Sequence, residues 1–482
     1  MADHPRNILI LMSDEHRRDA MGCAGHPIVK TPHLDRLAAG GTRFTRAYTA
    51  SPMCVPTRAA LACGTYVHQN RFWDSATAYD GSIPSWMHLM RDAGYTTTSI
   101  GKLHFKSGRI DNGFSEEILP MHIVGEQGWL VGLLRDNPPD YDGASELAEQ
   151  VGRGNSSYTD YDRAITDAAE KWLTDPQRRK HPFAGFISLV SPHYPLIAPA
   201  EYYDLYDPAQ MPLPEGGIPD HAEIRALAGF FDYHNHFTEE TMREAIAAYY
   251  GLVSFLDNCI GRIMAALEAA GLTEDTLVIY TSDHGELLGE HGMWTKQVMY
   301  EASAGIPLIL NGPGIPQGHE TASGAHFLDI ASTAISLGGI DQPDHWPGTD
   351  LMVLANADED RSRTLFSEYH DGGSTTGTFM VAWDGWKLIW YAGRQPQLFN
   401  LDEDPDETRD RAADPAAAEV LAEGRRRLLA ICNPDEVSAL AFADQRALIE
   451  AVGGEEACRN AFVFNATPTP VEQAAMESEK EI

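Results

Sequence analysis

Polar residues that could bind an anion or a metal ion follow four separate apolar stretches of this sequence. The stretches read NILILM, YTTTSIG, PFAGFISLV and TLVIYTS. In open α/β sheets, ligands bind beyond the carboxyl ends of the strands. A single carboxylate after a strand most often caps a turn or a helix, and a single lysine there is most often a solvated surface charge. Four strand ends of the same character predict one shared site, formed by Asp14, Lys102, His104, His193, Asp283 and His284.

The acidic members of this set suit a metal ion. Asp14, Asp283 and His284 form an oxygen-rich group that favours a hard divalent cation. We expect Ca²⁺, with Mn²⁺ or Mg²⁺ as alternatives. The basic members would form a positive cluster beside the metal, made of Lys102, His104, His193 and Lys296.

The overall charge of the chain limits its partners. With 36 basic and 70 acidic side chains the net charge is −34, which excludes nucleic acid and anionic membrane surfaces as partners. The same charge repels an anionic substrate at long range. A site for an anion therefore needs the local cations or metal described above.

A cysteine lies in SPMCVPTRAALACG, at residues 51–64. Pro56 near the beginning and Gly64 at the end favour a helix, with Cys54 just before its N-terminus. Backbone N–H groups there would hold a sulfate or phosphate, and Arg58 would add hydrogen bonds. A catalytic thiolate would also be stabilised at this position. A buried structural cysteine is the third interpretation, and Cys63 receives no chemical role.

The elements that position these residues alternate between strand and helix. The four apolar stretches and IPLIL at 306–310 are typical of buried strands. Helices are predicted around TPHLDRLAAGG, SWMHLMRDAG and the long apolar-periodic stretch 239–271. Such alternation predicts an α/β fold with a mainly parallel sheet covered by helices.

The pattern changes beyond about Gly339. GTFMVAWDGWKLIWYA reads as two strands joined at Asp384-Gly385, a hairpin signal. We predict a catalytic α/β domain at 1–360, a smaller C-terminal α+β subdomain with an antiparallel sheet at 361–465, and a tail at 466–482. We expect the tail to fray, with packing in an oligomer contact as the alternative.

The cysteines and the N-terminal segment indicate the cellular compartment of the protein. The six cysteines show no repeated spacing and no CxxC pair, so neither a disulfide framework nor a zinc site is indicated. The apolar run Ile8–Met12 is too short for a signal peptide or a membrane span. We expect a cytoplasmic protein.

Several segments together resemble one family. Cys54-Val55-Pro56-Thr57-Arg58 resembles the signature of the type I sulfatases, in the alkaline phosphatase superfamily. NILILMSDEH, GKLHF, SPHYP, TSDHGELLGEHGMWTK and LFNLDEDPDET resemble further family segments in the same order. His284 stands where many members have asparagine, which resembles the choline-sulfatase-like and phosphonate-monoester-hydrolase-like branches. The resemblance implies an alkaline-phosphatase-like fold.

The resemblance also implies a cofactor, a mechanism and a set of site residues. A formylglycine-generating enzyme would oxidise Cys54 to formylglycine, the nucleophile and a metal ligand beside Asp14, Asp283 and His284. Many members have a second aspartate where Glu15 stands, which weakens the case for Glu15 as a ligand. The other catalytic residues implied are Arg58, Lys102, His104, His193 and Lys296.

The implied activity is hydrolysis of a small sulfate monoester, aryl or alkyl, by a homo-oligomer, a dimer or tetramer. A phosphonate monoester or phosphodiester hydrolase with the same nucleophile is the alternative. Lys102 and His104 favour the sulfatase, because this pair resembles the sulfatase branches. An inactive binding protein of the same fold is the remote alternative. Trp73, Trp86 and Trp294 are interpreted as core residues rather than pocket residues.

Overall fold

A computed structural model describes residues 5–141, 143–214, 216–461 and 466–480. The strands of this part are β1 (Asn7–Asp14), β2 (Thr42–Phe44), β3 (Ala47–Tyr48), β4 (Thr96–Lys102), β5 (Glu116–Met121), β6 (Val151–Arg153), β7 (Phe183–Pro192), β8 (Leu196–Ala198), β9 (Thr276–Ser282), β10 (Leu308–Asn311), β11 (His319–Thr321), β12 (Ala325–His326), β13 (Leu365–Tyr369), β14 (Thr378–Trp383), β15 (Trp386–Tyr391) and β16 (Gln397–Asn400).

The helices of the same residues are α1 (Pro32–Ala39), α2 (Cys54–Cys63), α3 (Val67–Asn70), α4 (Trp86–Asp92), α5 (Gly143–Glu149), α6 (Ser157–Thr174), α7 (Ala200–Tyr203), α8 (Ala222–Phe231), α9 (Glu239–Ala269), α10 (Glu301–Ala304), α11 (Asp329–Leu337), α12 (Leu351–Asn356), α13 (Ala418–Ile431), α14 (Pro434–Ala451), α15 (Glu455–Arg459) and α16 (Pro470–Lys480). None of these helices is both long enough and apolar enough to cross a bilayer.

An eight-stranded sheet forms the centre of the molecule, in the order β11-β2-β10-β9-β1-β7-β4-β5. The block from β9 to β5 is parallel, whereas β10 runs antiparallel to β9 and β2. In β1, Leu9 lies opposite Gly185 on one side and Val278 on the other. The predicted mainly parallel α/β sheet is confirmed.

The two faces of β1 enter different cores because successive side chains of a strand point to opposite sides. Ile8 and Ile10 pack in the core that contains α4 and α11. Leu9 and Leu11 pack in the core that contains α6 and α9. With both faces covered, every residue of β1 is buried, which explains its continuous apolar run.

The 31-residue helix α9 braces one face of the sheet. The side chain of Thr238 accepts a hydrogen bond from the Thr241 backbone N–H and caps the first turn. The helix packs against α6, α1 and β7. The predicted helix at 239–271 is therefore confirmed, apart from its last two residues.

A separate antiparallel sheet, in the order β13-β14-β15-β16, lies in the C-terminal part of the chain. Its hairpin turn at Asp384-Gly385 has positive φ at both residues, 42° and 80°, as a two-residue hairpin loop requires. The smaller antiparallel sheet predicted beyond Gly339 is thereby confirmed.

The described part of the tail differs from the expected frayed segment. α16 packs beside β5, and the Gln473 side chain donates a hydrogen bond to the His122 carbonyl. The Tyr158 hydroxyl donates to the Thr467 carbonyl at 2.8 Å. Residues 481 and 482 of the predicted tail, and 462–465 of the predicted subdomain, lie outside the described residues.

Candidate active site

Four neighbouring strands deliver the site residues to one edge of the sheet. β1 ends at Asp14 and β4 at Lys102, while His193 follows β7 and Asp283 follows β9. The strands β9, β1, β7 and β4 are adjacent and parallel, so their carboxyl ends share one edge. The structure therefore brings together the side chains that the sequence predicts at this edge.

Cys54 reaches the same edge from α2. It is the first residue of the helix, directly after the extended Met53, which matches its predicted position at the helix N-terminus. The Cys54 Sγ lies 3.4 Å from the His284 Nε2 and 4.0 Å from the Asp14 Oδ1. Burial and the charge of Asp14 raise the pKa of the Cys54 thiol to about 12, so the unmodified thiol is protonated at neutral pH.

The metal-binding prediction has a matching group of donors. One ligand atom from each of Asp14, Cys54, Asp283 and His284 falls within 4.8 Å of every other, and all four side chains are buried. The His284 Nδ1 faces the Gly285 carbonyl at 3.0 Å, so Nδ1 carries the proton and the Nε2 lone pair faces the cluster. Two carboxylates and one imidazole lone pair fit a divalent cation.

Arg58 joins the two metal-site carboxylates. Its Nη2 lies 3.0 Å from the Asp14 Oδ2 and its Nε lies 2.8 Å from the Asp283 Oδ2. Its Nη1 donates to the Lys102 carbonyl at 2.8 Å and to the Ser188 Oγ at 3.0 Å. Only 2% of the Arg58 side chain is exposed. Its two ion pairs therefore hold the Asp14 and Asp283 carboxylates in fixed positions relative to each other.

Lys102 and His104 occupy the other side of Asp14. The Lys102 Nζ lies 2.5 Å from the Asp14 Oδ2. Burial alone would raise the pKa of the Asp14 carboxyl. The groups around it, Lys102, His193 and Arg58, outweigh this effect and hold the pKa well below its usual range. Burial and the positive charge of Lys102 lower the pKa of His104 well below its usual range, so this imidazole is neutral.

The His104 ring is an unusual feature of the site. It is 5% exposed, and among the described residues neither of its nitrogens has a hydrogen-bond partner. Its backbone has a left-handed φ of 54°, a conformation that costs about 1 kcal/mol or more for a residue with a side chain. A buried, unpaired imidazole at the cavity surface is ready to bond with a ligand.

Lys296 and His193 form a pair. The Lys296 Nζ donates to the His193 Nε2 at 2.8 Å, and the His193 Nδ1 faces the Tyr194 carbonyl at 2.7 Å. Burial and the charge of Lys296 lower the pKa of His193 well below its usual range. The shared proton therefore resides on Lys296, and His193 is the acceptor.

Glu15 contacts this pair rather than Cys54. Its Oε2 lies 3.2 Å from the Lys296 Nζ and 3.4 Å from the His193 Nε2. Burial, partly offset by Lys296, raises the pKa of Glu15 to about 8. Asp14, Glu15 and His193 form a second group of donors within 4.8 Å of one another.

The cavity above these groups contains residues that the sequence analysis did not select. Six aromatic side chains line it, together with Ser75, Gln297 and Thr467. They lie in loops and helix ends, where hydrophobic periodicity carries little information. Trp73, Trp86 and Trp294 are at most 2% exposed and do not line this cavity, as predicted. The rings that line it are Trp129, Tyr141, Tyr158, Tyr194, Phe231 and Tyr233.

Comparison with known proteins identifies the family. Residues 6–340 match the Sulfatase family model, and residues 289–433 match the model described as N-sulphoglucosamine sulphohydrolase, C-terminal. This chain belongs to the sulfatase family. The family resemblance carried by Cys54-Val55-Pro56-Thr57-Arg58 and its companion segments is thus confirmed.

The sulfatase has relatives in both predicted branches. It is 32% identical over 435 residues to a choline-sulfatase of Rhizobium meliloti, covering 85% of this chain and 83% of that protein. It is 31% identical over 447 residues to arylsulfatase K of Danio rerio, covering 85% and 81%. The phosphonate monoester hydrolase of Silicibacter pomeroyi shares 26% identity at a TM-score of 0.71, covering 88% of this chain and 94% of that chain.

Proposed function

We propose that this sulfatase hydrolyses sulfate monoesters to an alcohol and inorganic sulfate, using formylglycine at residue 54 and one divalent metal ion. The observation that carries the proposal is the position of Cys54 at the start of α2, within 4.8 Å of ligand atoms of Asp14, Asp283 and His284. The choline-sulfatase and arylsulfatase relatives support the same reaction class.

Asp14, Asp283 and His284 would hold the metal ion, which would act as a Lewis acid toward the oxygens of the sulfate group. The carboxylate oxygens favour Ca²⁺, with Mn²⁺ or Mg²⁺ as alternatives. Arg58 pairs with the Oδ2 atoms of Asp14 and Asp283, whereas the Oδ1 atoms lie nearer to His284. Elemental analysis of the purified protein tests the identity of the metal.

Conversion to formylglycine would supply a hydrated aldehyde at residue 54, a nucleophile that can release sulfate without attack of water on sulfur. The thiol lacks this route, and its pKa of about 12 makes it a weak nucleophile. His104 is neutral and unpaired beside the site. It can therefore take a proton from residue 54 as a general base.

The cations have separate roles in the proposed reaction. Lys102 lies against Asp14 and balances negative charge on the sulfate group. Lys296 holds a proton that His193 accepts as a hydrogen bond. When an ester occupies the site, this ammonium group can donate the proton to the leaving alcohol oxygen, with His193 keeping it in position.

Mass spectrometry of the peptide that contains residue 54 tests this proposal. The protein would be produced with and without a formylglycine-generating enzyme, and sulfate release would be measured for both preparations. We expect activity to rise in proportion to the modified fraction. Full activity with an unmodified thiol would overturn the proposal.

Phosphonate monoester hydrolysis is the second candidate, supported by the similarity to the Silicibacter pomeroyi enzyme. The buried Lys102 ammonium group and the neutral His104 imidazole beside it favour the sulfate ester, because this pair resembles the sulfatase branches. Rates on phenyl sulfate and on a phenyl phosphonate monoester, in wild type and Lys102→Ala, separate the two. A better phosphonate rate that survives the substitution would favour the second candidate.

The partners remain predictions as well. The proposal requires a formylglycine-generating enzyme in the producing cell. We also expect a homo-oligomer, a dimer or tetramer. Light scattering on the purified protein tests the oligomeric state.

A further inference from the structure

The cavity wall contains a connected group of rings, which we call the aromatic wall: Trp129, Tyr141, Phe231 and Tyr233. Trp129 and Tyr141 meet edge to face at 5.9 Å between ring centroids. Tyr141 meets Phe231 edge to face at 5.5 Å, and Phe231 stacks on Tyr233 at 5.6 Å with an interplanar angle of 4°. The four rings therefore form one continuous aromatic surface.

The aromatic wall is joined to the reacting groups by two other rings. Tyr194 stacks on the His193 imidazole at 4.3 Å, and the Lys296 Nζ lies 5.3 Å from the Tyr194 ring centroid. Tyr158 meets His193 edge to face at 5.8 Å. An ester held by the cations would therefore direct its alcohol half along a surface made of rings.

Trp129 is fixed by two glycines and a loop. A Cβ at Gly132 would lie 2.6 Å from the indole, and a Cβ at Gly372 would lie 2.4 Å from it. The Trp129 backbone N–H donates to the Ser75 carbonyl at 3.0 Å. Asp371 accepts from the Ser75 backbone N–H at 2.7 Å and from its hydroxyl at 2.5 Å. These contacts hold Trp129 in position in the wall.

The charged side chains that line the cavity are both lysines. Lys102 and Lys296 line it, and among the described lining residues none is an aspartate or glutamate. The ring faces would attract a quaternary ammonium alcohol. No lining carboxylate would pair with it, however, and the two lining lysines would repel it, although each lysine is partly balanced by Asp14 or Glu15. The hydroxyl groups of a sugar would need several hydrogen-bond partners, which ring faces do not supply. The Tyr233 and Ser75 hydroxyls of the cavity already bond to Thr295 and Asp371.

On the basis of the proposed sulfate-ester hydrolysis, we propose that the aromatic wall is the alcohol subsite and that it selects an uncharged aromatic alcohol, a phenol. The flat ring of a phenol can bury most of its area against the wall, and the ring itself has no polar group that would need a hydrogen-bond partner. Trp129 is the specificity-determining residue because it contacts Tyr141 and because Gly132 and Gly372 pack closely against one edge of its indole. Asp371 acts through Ser75 as a positioning residue.

Kinetics with three esters test the inference. Phenyl sulfate, choline sulfate and glucosamine 6-sulfate would be compared by sulfate release, using metal-loaded protein whose residue 54 has been verified as modified. We expect a KM for phenyl sulfate at least about tenfold below those of the other two. A lower KM for choline sulfate or the sugar sulfate would overturn the inference and leave the proposed function intact. Release from none of the three would overturn the proposed function.

Variants of the wall separate alcohol binding from sulfate binding. Trp129→Ala should raise the KM for phenyl sulfate about tenfold and leave competitive inhibition by inorganic sulfate within about twofold of wild type. Trp390→Ala removes a half-buried indole of β15 outside the cavity and serves as the matched control. Tyr141→Leu is the second wall variant in case Trp129→Ala does not fold. An unchanged KM for phenyl sulfate in both folded wall variants would overturn the inference.

Discussion

The reacting end of the cavity and its aromatic wall are built in different ways. The reacting end comes from four adjacent strand ends and the start of α2, and its charges are linked to one another by ion pairs. The wall comes from loops and the end of α8, and its rings are held by packing and by Asp371 of the C-terminal part. On the proposed function, the paired charges would bind the sulfate half of the ester and the rings of the wall would bind its alcohol half. Changes at one should therefore leave the other intact.

The largest effect is expected from loss of the nucleophile. Cys54→Ala should lower kcat by about 10⁴-fold or more, because no other described group in the cluster can replace the proposed formylglycine nucleophile. Sulfate release from phenyl sulfate measures this loss. Cys63→Ala removes the other buried cysteine of α2 and should keep kcat within about threefold. Comparable losses in both variants would indicate damage to the helix rather than to the chemistry.

Removal of the metal should give the next largest effect. Treatment with a chelator should lower kcat by about 10³-fold, and added Ca²⁺ or Mn²⁺ should restore it. The far-UV circular dichroism should stay constant, because Arg58 and Lys102 still neutralise Asp14 and Asp283. Full activity after chelation, with the metal shown to be absent, would contradict a role for the cation in catalysis.

A disturbance of the wall should act on substrate binding alone. Gly372→Ala would place a methyl group 2.4 Å from the Trp129 ring, so the ring must shift. We expect the KM for phenyl sulfate to rise about fivefold with kcat nearly unchanged. Gly217→Ala, at a glycine with nothing within 4 Å of the added Cβ, is the control. A large fall in kcat would show that wall and reacting end are coupled.

The smallest effect concerns the dependence of stability on pH. Burial and the charge of Asp74 raise the pKa of Asp371 to about 7. The folded state thus holds a proton that the unfolded chain releases near pH 4, and this contribution to the free energy of unfolding is lost as pH rises toward 7. Asp371→Asn imitates the protonated carboxyl and should flatten the decline of Tm between pH 5 and 8. An identical decline in the variant would exclude Asp371 as its source.

The reacting end could be predicted from the sequence because topology determines it. A run such as TLVIYTS is enough to predict a buried strand, and the residue that follows this strand must lie at the carboxyl edge of the sheet, where ligands bind. The pairing of Arg58 with both carboxylates was not predictable, since no local pattern indicates which acid an arginine contacts. The roles that the family resemblance implies for Arg58, Lys102, His104, His193 and Lys296 remain predictions.

The aromatic wall could not be predicted for a physical reason. Trp129 lies in GEQGWLVGLL and Tyr233 in a short turn after α8, where no periodicity separates a pocket residue from a core residue. The glycines of DGG at 371–373 were visible, but their contact with Trp129 depends on the packing of distant segments. The edge strands β5 and β11 were missed as well, because they contain polar and acidic residues.

The bonds from Asp371 to Ser75 cross from the connection between β13 and β14 to a loop of the large α/β sheet domain. On the proposed alcohol subsite, substrate preference would therefore depend on both parts of the chain. A chimera that joins residues 1–360 of this chain to the C-terminal part of a relative would keep the reacting groups and the four wall rings, and would change the contacts at Ser75 and Trp129 that position the wall.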